Sequence, residues 1–215
     1  MADARLSEPL ATTSSSPPSE RLLAAGLRAF AAKGFEATTT RDIATGAGMS
    51  PAGLYVHYRS KADLLFELSH AGHMAVLAAV EEALAGVEGP VDRVSAFVRA
   101  STVWHARHHT AARVIQYELG ALELDRFKEI RRLRRRVERL LQAEIQSGVR
   151  LGVVEAADTR TTTRALLSLT IDVARWYRPH TDPSPERLGA AYASLARAMV
   201  TPRSSGLSSC SGSAP

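Results

Sequence analysis

The sequence predicts an all-α protein of about nine helices, on three observations. Apolar residues recur at helical spacing in nearly every segment between residues 19 and 200. No stretch shows the apolar/polar alternation of a half-buried strand. Capping residues, prolines and glycines stand where those periods begin and end. The chain has 215 residues and no internal repeat, enough for a normal core without a disulfide or metal staple.

Residues 1–18 carry Ser/Thr/Pro clusters and 201–215 are mostly Ser, Gly and Pro, so both are expected to be disordered tails. The first helix, about 19–33, sets Leu22, Leu23, Gly26, Leu27 and Phe30 on one face and is expected to stop at Gly34. Thr39 with Asp42 has capping-box-like spacing, Ser50 before Pro51 is an N-cap with proline at the first helical position, and Ser60 with Asp63 repeats the first pattern. Two short helices follow, about 40–47 and 51–57, then a long one from Ser60 towards Leu84. Gly89-Pro90 breaks the chain before a helix of about 91–107. Helices of about 110–121 and 124–149 come next, the latter with Ile130, Leu133, Val137, Leu140, Leu141 and Ile145 in register. Two final helices, about 159–177 and 184–200, flank Pro179 and Pro183.

Composition narrows the function. The lone Cys210 excludes a disulfide framework or a Cys-rich zinc module and suits a reducing cytoplasm. No apolar run has the length needed to span a bilayer, and the N-terminus lacks the apolar region of a signal peptide, so a cytoplasmic protein is expected. The net charge of +5 suggests nucleic acid, but residues 1–70 hold seven basic and seven acidic side chains. The surplus lies between Arg126 and Arg139, with eight basic residues against two acidic ones. Within it, the Arg131–Arg136 run reads as a solvated face opposite the apolar stripe.

Two short helices joined by a Gly-containing turn and braced by an apolar helix form a helix-turn-helix pattern, whose second helix enters a major groove. Ile43, Ala44, Ala47 and Leu54 supply its inner face. Ser50, Pro51, Ala52, Gly53 and Tyr55 lie near the second helix's exposed start, where free N–H groups favour phosphate. Tyr55, His57, Tyr58 and Lys61 offer donors to a DNA backbone, although Tyr58 also reads as a core position. Thr39, Ser50 and Ser60 are caps first.

The stretch from Gly34 to Ala44, followed by Gly48-Met49-Ser50-Pro51-Ala52-Gly53-Leu54-Tyr55-Val56-His57-Tyr58-Arg59-Ser60-Lys61, resembles the DNA-binding half of the TetR family of transcriptional regulators. That resemblance covers about 20–66. It implies a homodimeric cytoplasmic repressor with a helix-turn-helix domain at 19–66 and a ligand-binding and dimerisation domain at 67–200. It also implies release of double-stranded operator DNA when a small effector binds, with no cofactor and no membrane. By that resemblance Thr40, Tyr55, His57 and Lys61 would contact phosphates, with Tyr55 also a candidate for a base edge, and Ser50, Pro51, Ala52 and Gly53 would lie against the groove; Thr39, Arg41 and Tyr58 complete the candidate DNA-binding set.

In the second half, Leu188, Tyr192, Leu195 and Met199 form a stripe on the last helix among the small residues Gly189, Ala190, Ala193 and Ala196. The helix before it is apolar around much of its circumference, which suggests a four-helix dimer interface from the last two helices. Trp104, His105, His108, Tyr117, Thr170, Arg175 and Trp176, with His109, are aromatic and polar residues on otherwise apolar helices, a mixture that lines pockets. The stretch Asp172 to Pro179 is similar to regulators of the family that answer to acyl-CoA thioesters. A metal-responsive alternative rests on the run His105-Ala106-Arg107-His108-His109 with His70 and His73 upstream, in which His105 and His109 are an i, i+4 pair that shares a face only if the helix runs through both. A helical enzyme or carrier is a further alternative, without a Gly-rich phosphate loop, HExxH, GxSxG or paired carboxylates to support it, and a nonspecific architectural DNA binder is another, against which the neutral N-terminal half argues. No catalytic residue and no metal ligand is assigned.

Overall fold

The computed structural model describes residues 16–202, so the tail expectations for 1–15 and 203–215, Cys210 included, lie outside the described residues. Among those described there are nine α-helices and no strand. They are α1 Pro17–Ala37, α2 Thr40–Gly46, α3 Pro51–His57, α4 Lys61–Leu84, α5 Pro90–Arg107, α6 His109–Tyr117, α7 Leu124–Arg150, α8 Thr159–Trp176 and α9 Pro185–Val200, with a 3-10 turn at Leu119–Ala121 before α7.

The first helix corrects the tail boundary, because Pro17 and Pro18 begin it; proline is tolerated in a first turn, where the N–H has no intrahelical partner. Gly34 breaks it at φ 79°, and the residues beyond return Phe35 to the core, 5.4 Å from the Phe30 ring. The helix expected through residue 121 ends at Tyr117 and continues only as the 3-10 turn. The predicted caps form. Thr39 and Asp42 make a full capping box, and the Ser50 and Ser60 hydroxyls accept from the N–H groups of Gly53 and Asp63.

Leu22, Leu27, Phe30, Ile43, Leu54, Leu64, Leu65 and Leu68 are all buried where α1 to α4 meet. At Gly26 an added Cβ would collide with Leu64, so the missing side chain lets α1 and α4 cross closely. In the second half α5 is the central strut, packed by α4, α7, α8 and α9. No described helix is long and apolar enough to cross a membrane.

The last helix divides differently from its sequence stripe. Leu188, Gly189, Ala196 and Val200 are buried, Tyr192 is half-buried, and Leu195 and Met199 are exposed. Small residues at Gly189 and Ala196 thus serve contact within the chain. A Cβ on Gly189 would lie 2.6 Å from Val103 Cγ2 and 3.1 Å from the Arg99 carbonyl oxygen. Gly189→Val is therefore expected to lower unfolding free energy by about 1–3 kcal/mol through overpacking. Gly120→Ala, with nothing within 4 Å, should change it little in the same denaturant titration.

Candidate functional site

The α2–α3 pair is locked to α1 by charge and hydrogen bonds. Lys33 Nζ lies 2.6 Å from Asp42 Oδ2, and Arg28 donates to the Gly46 carbonyl at 3.1 Å. Asp42 also accepts from the Thr39 N–H and hydroxyl, and these donors with Lys33 hold its carboxyl far below the usual carboxylate range. Packing of Leu54 then leaves one side of α3 in solvent. Pro51, Ala52, Tyr55, Val56 and His57 are exposed, with Tyr55 at 53% and Val56 at 80%. Thr39, Arg41 and Ser50 are exposed, and Gly53 and Thr40 are half-buried. The Tyr55 hydroxyl lies 3.3 Å from Thr40 Oγ1, so α2 and α3 offer one polar edge.

Two of the residues expected to face DNA have partners within the chain. Tyr58 is buried in the core, its hydroxyl 2.5 Å from Ser19 Oγ, because its ring closes the gap beneath α1. Lys61 is committed within the chain, donating to the carbonyls of Phe35 (2.8 Å), Glu36 (3.1 Å) and Thr38 (3.0 Å). An ammonium has three N–H donors, so these bonds use all of them. The ammonium also sits 4.3 Å from the centre of the Phe35 ring. The reason is the exposed carbonyl end of α1, which lacks helical partners past Gly34. A lysine in the first turn of α4 opposes that helix's own dipole, and this was the available hint that it serves another helix.

A second feature lies between α4, α5, α7 and α8. A cavity of about 330 Å³ is lined by His73 and Val76, Ser101 and His105, Arg134, Val137 and Glu138, Arg164, Leu167, Ser168 and Ile171, with Gln116 from α6. It reaches solvent at Arg134, Arg164 and Ser168, which are exposed. Of the residues expected to bind ligand, only His105 lines it. Thr170 is buried behind the wall and accepts from Ser101 Oγ at 3.0 Å. Trp104 is buried with its ring 5.1 Å from that of His105, and His108 lies against Trp104 at 5.2 Å. Tyr117 is 61% exposed, Arg175 pairs on the surface with Asp172 at 2.7 Å, and Trp176 packs beside Tyr177 in a smaller cluster. The helical period rotates each of these away from the cavity. The metal-binding pair also separates, since the chain leaves α5 at His108, placing His105 and His109 on different helices. His109 Nδ1 lies 3.1 Å from the Ala106 carbonyl oxygen.

The arginines of the 131–136 run are exposed, as expected of a solvated face, and Arg134 among them also borders the cavity. It lines the cavity without an ion pair among the described residues, and desolvation alone pulls its guanidinium pKa down. The sequence held the signal. Ile130, Arg134, Val137, Leu141 and Ile145 step by four and three, so Arg134 falls in register with an apolar stripe. His73 sits likewise between Ser69 and Val76, and His105 four residues after Ser101.

Burial pulls both His73 and His105 down to about 4, against hydrogen bonds to the Ser69 and Ser101 carbonyls that push the other way. In the unfolded chain both titrate near 6.5. Between about pH 6.5 and 4 the unfolded state binds more protons, so stability is full above that window and falls as pH drops through it. The expected loss is about 2 kcal/mol per ring by pH 5, measured by urea unfolding at pH 7.5 and 5. Lys61→Met should destabilise the fold by about 1.5–3 kcal/mol through the lost charged hydrogen bonds, whereas Tyr55→Phe should stay within about 0.5 kcal/mol of the parent.

Comparison with known proteins identifies the arrangement. Residues 22–68 match the family model for bacterial regulatory proteins of the tetR family, and 87–200 match a tetracyclin repressor-like C-terminal domain. The crystal structure of a tetR-family regulatory protein from Rhodococcus RHA1 is similar at TM-score 0.83 and 39% identity, covering 87% of this chain and 98% of that one. The HTH-type transcriptional repressor KstR2 of Mycobacterium tuberculosis is 27% identical over 176 residues, 80% of this chain and 87% of KstR2. The structure of that ketosteroid transcriptional regulator has a TM-score of 0.81, 26% identity, and covers 90% of this chain and all of its own. AibR, solved with isovaleryl coenzyme A and operator DNA, shares the fold at TM-score 0.76 and 20% identity, over 83% of this chain and 97% of AibR. The chain belongs to the TetR family of DNA-binding transcriptional regulators.

Proposed function

We propose that this regulator is a repressor that binds a palindromic operator as a homodimer and releases it when an acyl-CoA thioester enters the cavity. The observation that carries the reading is the double duty of α4. Its first residue, Lys61, holds the end of α1 under the helix-turn-helix, and three turns later His73 and Val76 form a wall of the cavity. A ligand pressing on that wall acts on the helix that positions α3. Arg134, unpaired by any described carboxylate, suits a coenzyme A phosphate, and Arg164 shares the rim; Val76, Val137, Leu167 and Ile171 suit the acyl chain. AibR supports this in that a chain of the same fold accommodates such a thioester.

The DNA-facing set in this reading is Thr39, Thr40, Arg41, Ser50, Pro51, Ala52, Gly53, Tyr55 and His57, with Tyr58 and Lys61 acting from behind as packing and clamp. Ala165 and Leu169 of α8, and Ala191, Leu195, Ala198 and Met199 of α9, stay exposed, and a second copy covering them would complete the dimer.

Mobility-shift titration against the upstream region of its own gene tests the reading, with random duplex as competitor at fixed salt. A specific complex is expected, with half-sites about one helical turn apart and a moderate salt slope because the N-terminal 70 residues are neutral overall. Tyr55→Phe should weaken that complex, and decanoyl-CoA should dissociate it. A complex no stronger than that with random duplex would overturn operator binding.

A further inference from the structure

The chemistry of the cavity goes further than an acyl chain and an anion. His73 Nδ1 lies 2.7 Å from the Ser69 carbonyl oxygen, and His105 Nδ1 lies 2.8 Å from that of Ser101. A carbonyl only accepts, so in each ring Nδ1 carries the proton. Each neutral imidazole therefore keeps Nε2 as its acceptor nitrogen, its tautomer set by a carbonyl four residues earlier on its own helix. Both rings are buried, at 3% and 2% exposure, and both line the cavity. His73 Nε2 has no hydrogen-bond partner. A buried acceptor without a donor carries its full desolvation cost, which a ligand donor removes.

We propose that the effector's acyl portion carries a hydroxyl group, which donates to Nε2 of His73 or His105 while the effector's anionic group pairs with Arg134. This rests on the effector reading above and adds the polarity of the ligand. A ketone at the same carbon would set one acceptor against another. The volume fits an acyl group of moderate size, since about 330 Å³ corresponds to roughly eleven waters.

Three matched kinds of thioester test it by calorimetry on the full-length protein: decanoyl-CoA, its monohydroxy analogues with the hydroxyl at successive carbons, and the corresponding oxo analogues. The pantetheine amides and phosphates are common to all three, so only the acyl substituent differs. At least one hydroxy isomer is expected to bind about tenfold more tightly than decanoyl-CoA, and its oxo counterpart no more tightly than decanoyl-CoA. His73→Leu combined with His105→Leu should level the three affinities, with a thermal melt confirming that the variant is folded. Should that variant fail to fold, the three-way comparison on the parent protein decides alone. Equal binding of all three at every position, or an oxo analogue preferred, would overturn the hydroxyl proposal and leave the effector reading standing. Absence of binding by every thioester would overturn both.

Discussion

The Lys61 ammonium is the interaction on which the arrangement of the two halves depends. A helix that ends in mid-structure leaves carbonyl groups without intrahelical donors, and here α1, broken at Gly34, ends at Ala37 beside the start of α4. Lys61 answers the carbonyls of Phe35, Glu36 and Thr38 at once and lies over the Phe35 ring. The direction in which α4 leaves the helix-turn-helix is thereby set by a cluster of charge-assisted bonds. Arg93 repeats the device at the other end of α4, donating to the Leu84 and Val87 carbonyls while pairing with Glu144 of α7. Both ends of the connecting helix are therefore tied by a cation.

Between those ties, one level of the helical bundle is polar. His73 on α4 and His105 on α5 stand at buried steps of otherwise apolar stripes, and Arg134 on α7 stands in register at the cavity's rim. A core tolerates such groups only when they are hydrogen-bonded, paired or left facing a space that a ligand can fill. The imidazoles stay neutral and use one nitrogen each within their own helix, and the guanidinium faces the opening to solvent. His73, His105 and Arg134 reach the cavity from three separate helices.

Close packing governs the last helices as well. Gly189 brings α9 against α5, and Ala196 and Val200 continue that seam, leaving Leu195 and Met199 outward. A helix with apolar residues on two faces can satisfy one inside the chain and present the other to a partner. Arg126, paired with Asp63 and stacked over Phe66, similarly joins the start of α7 to the start of α4.

What the sequence determined by itself was local. The nine helices, the capping box at Thr39 and Asp42, the caps at Ser50 and Ser60, the break at Gly34 and the exposed edge of α3 all follow from spacing within a few residues, where backbone hydrogen bonding and φ preferences act. The tertiary structure decided which side chains meet across elements. Lys61 and Tyr58 were legible as donors near a DNA-facing helix, but their partners Phe35, Thr38 and Ser19 stand between 23 and 39 residues away. Arg175, Tyr117 and Trp176 had the chemistry of pocket residues and lack the rotation, while Arg134 was hidden in a run of arginines that share its chemistry but not its facing. Residue type is written in the chain, whereas facing depends on how helices pack, and packing is settled by the combined shape of residues far apart in sequence.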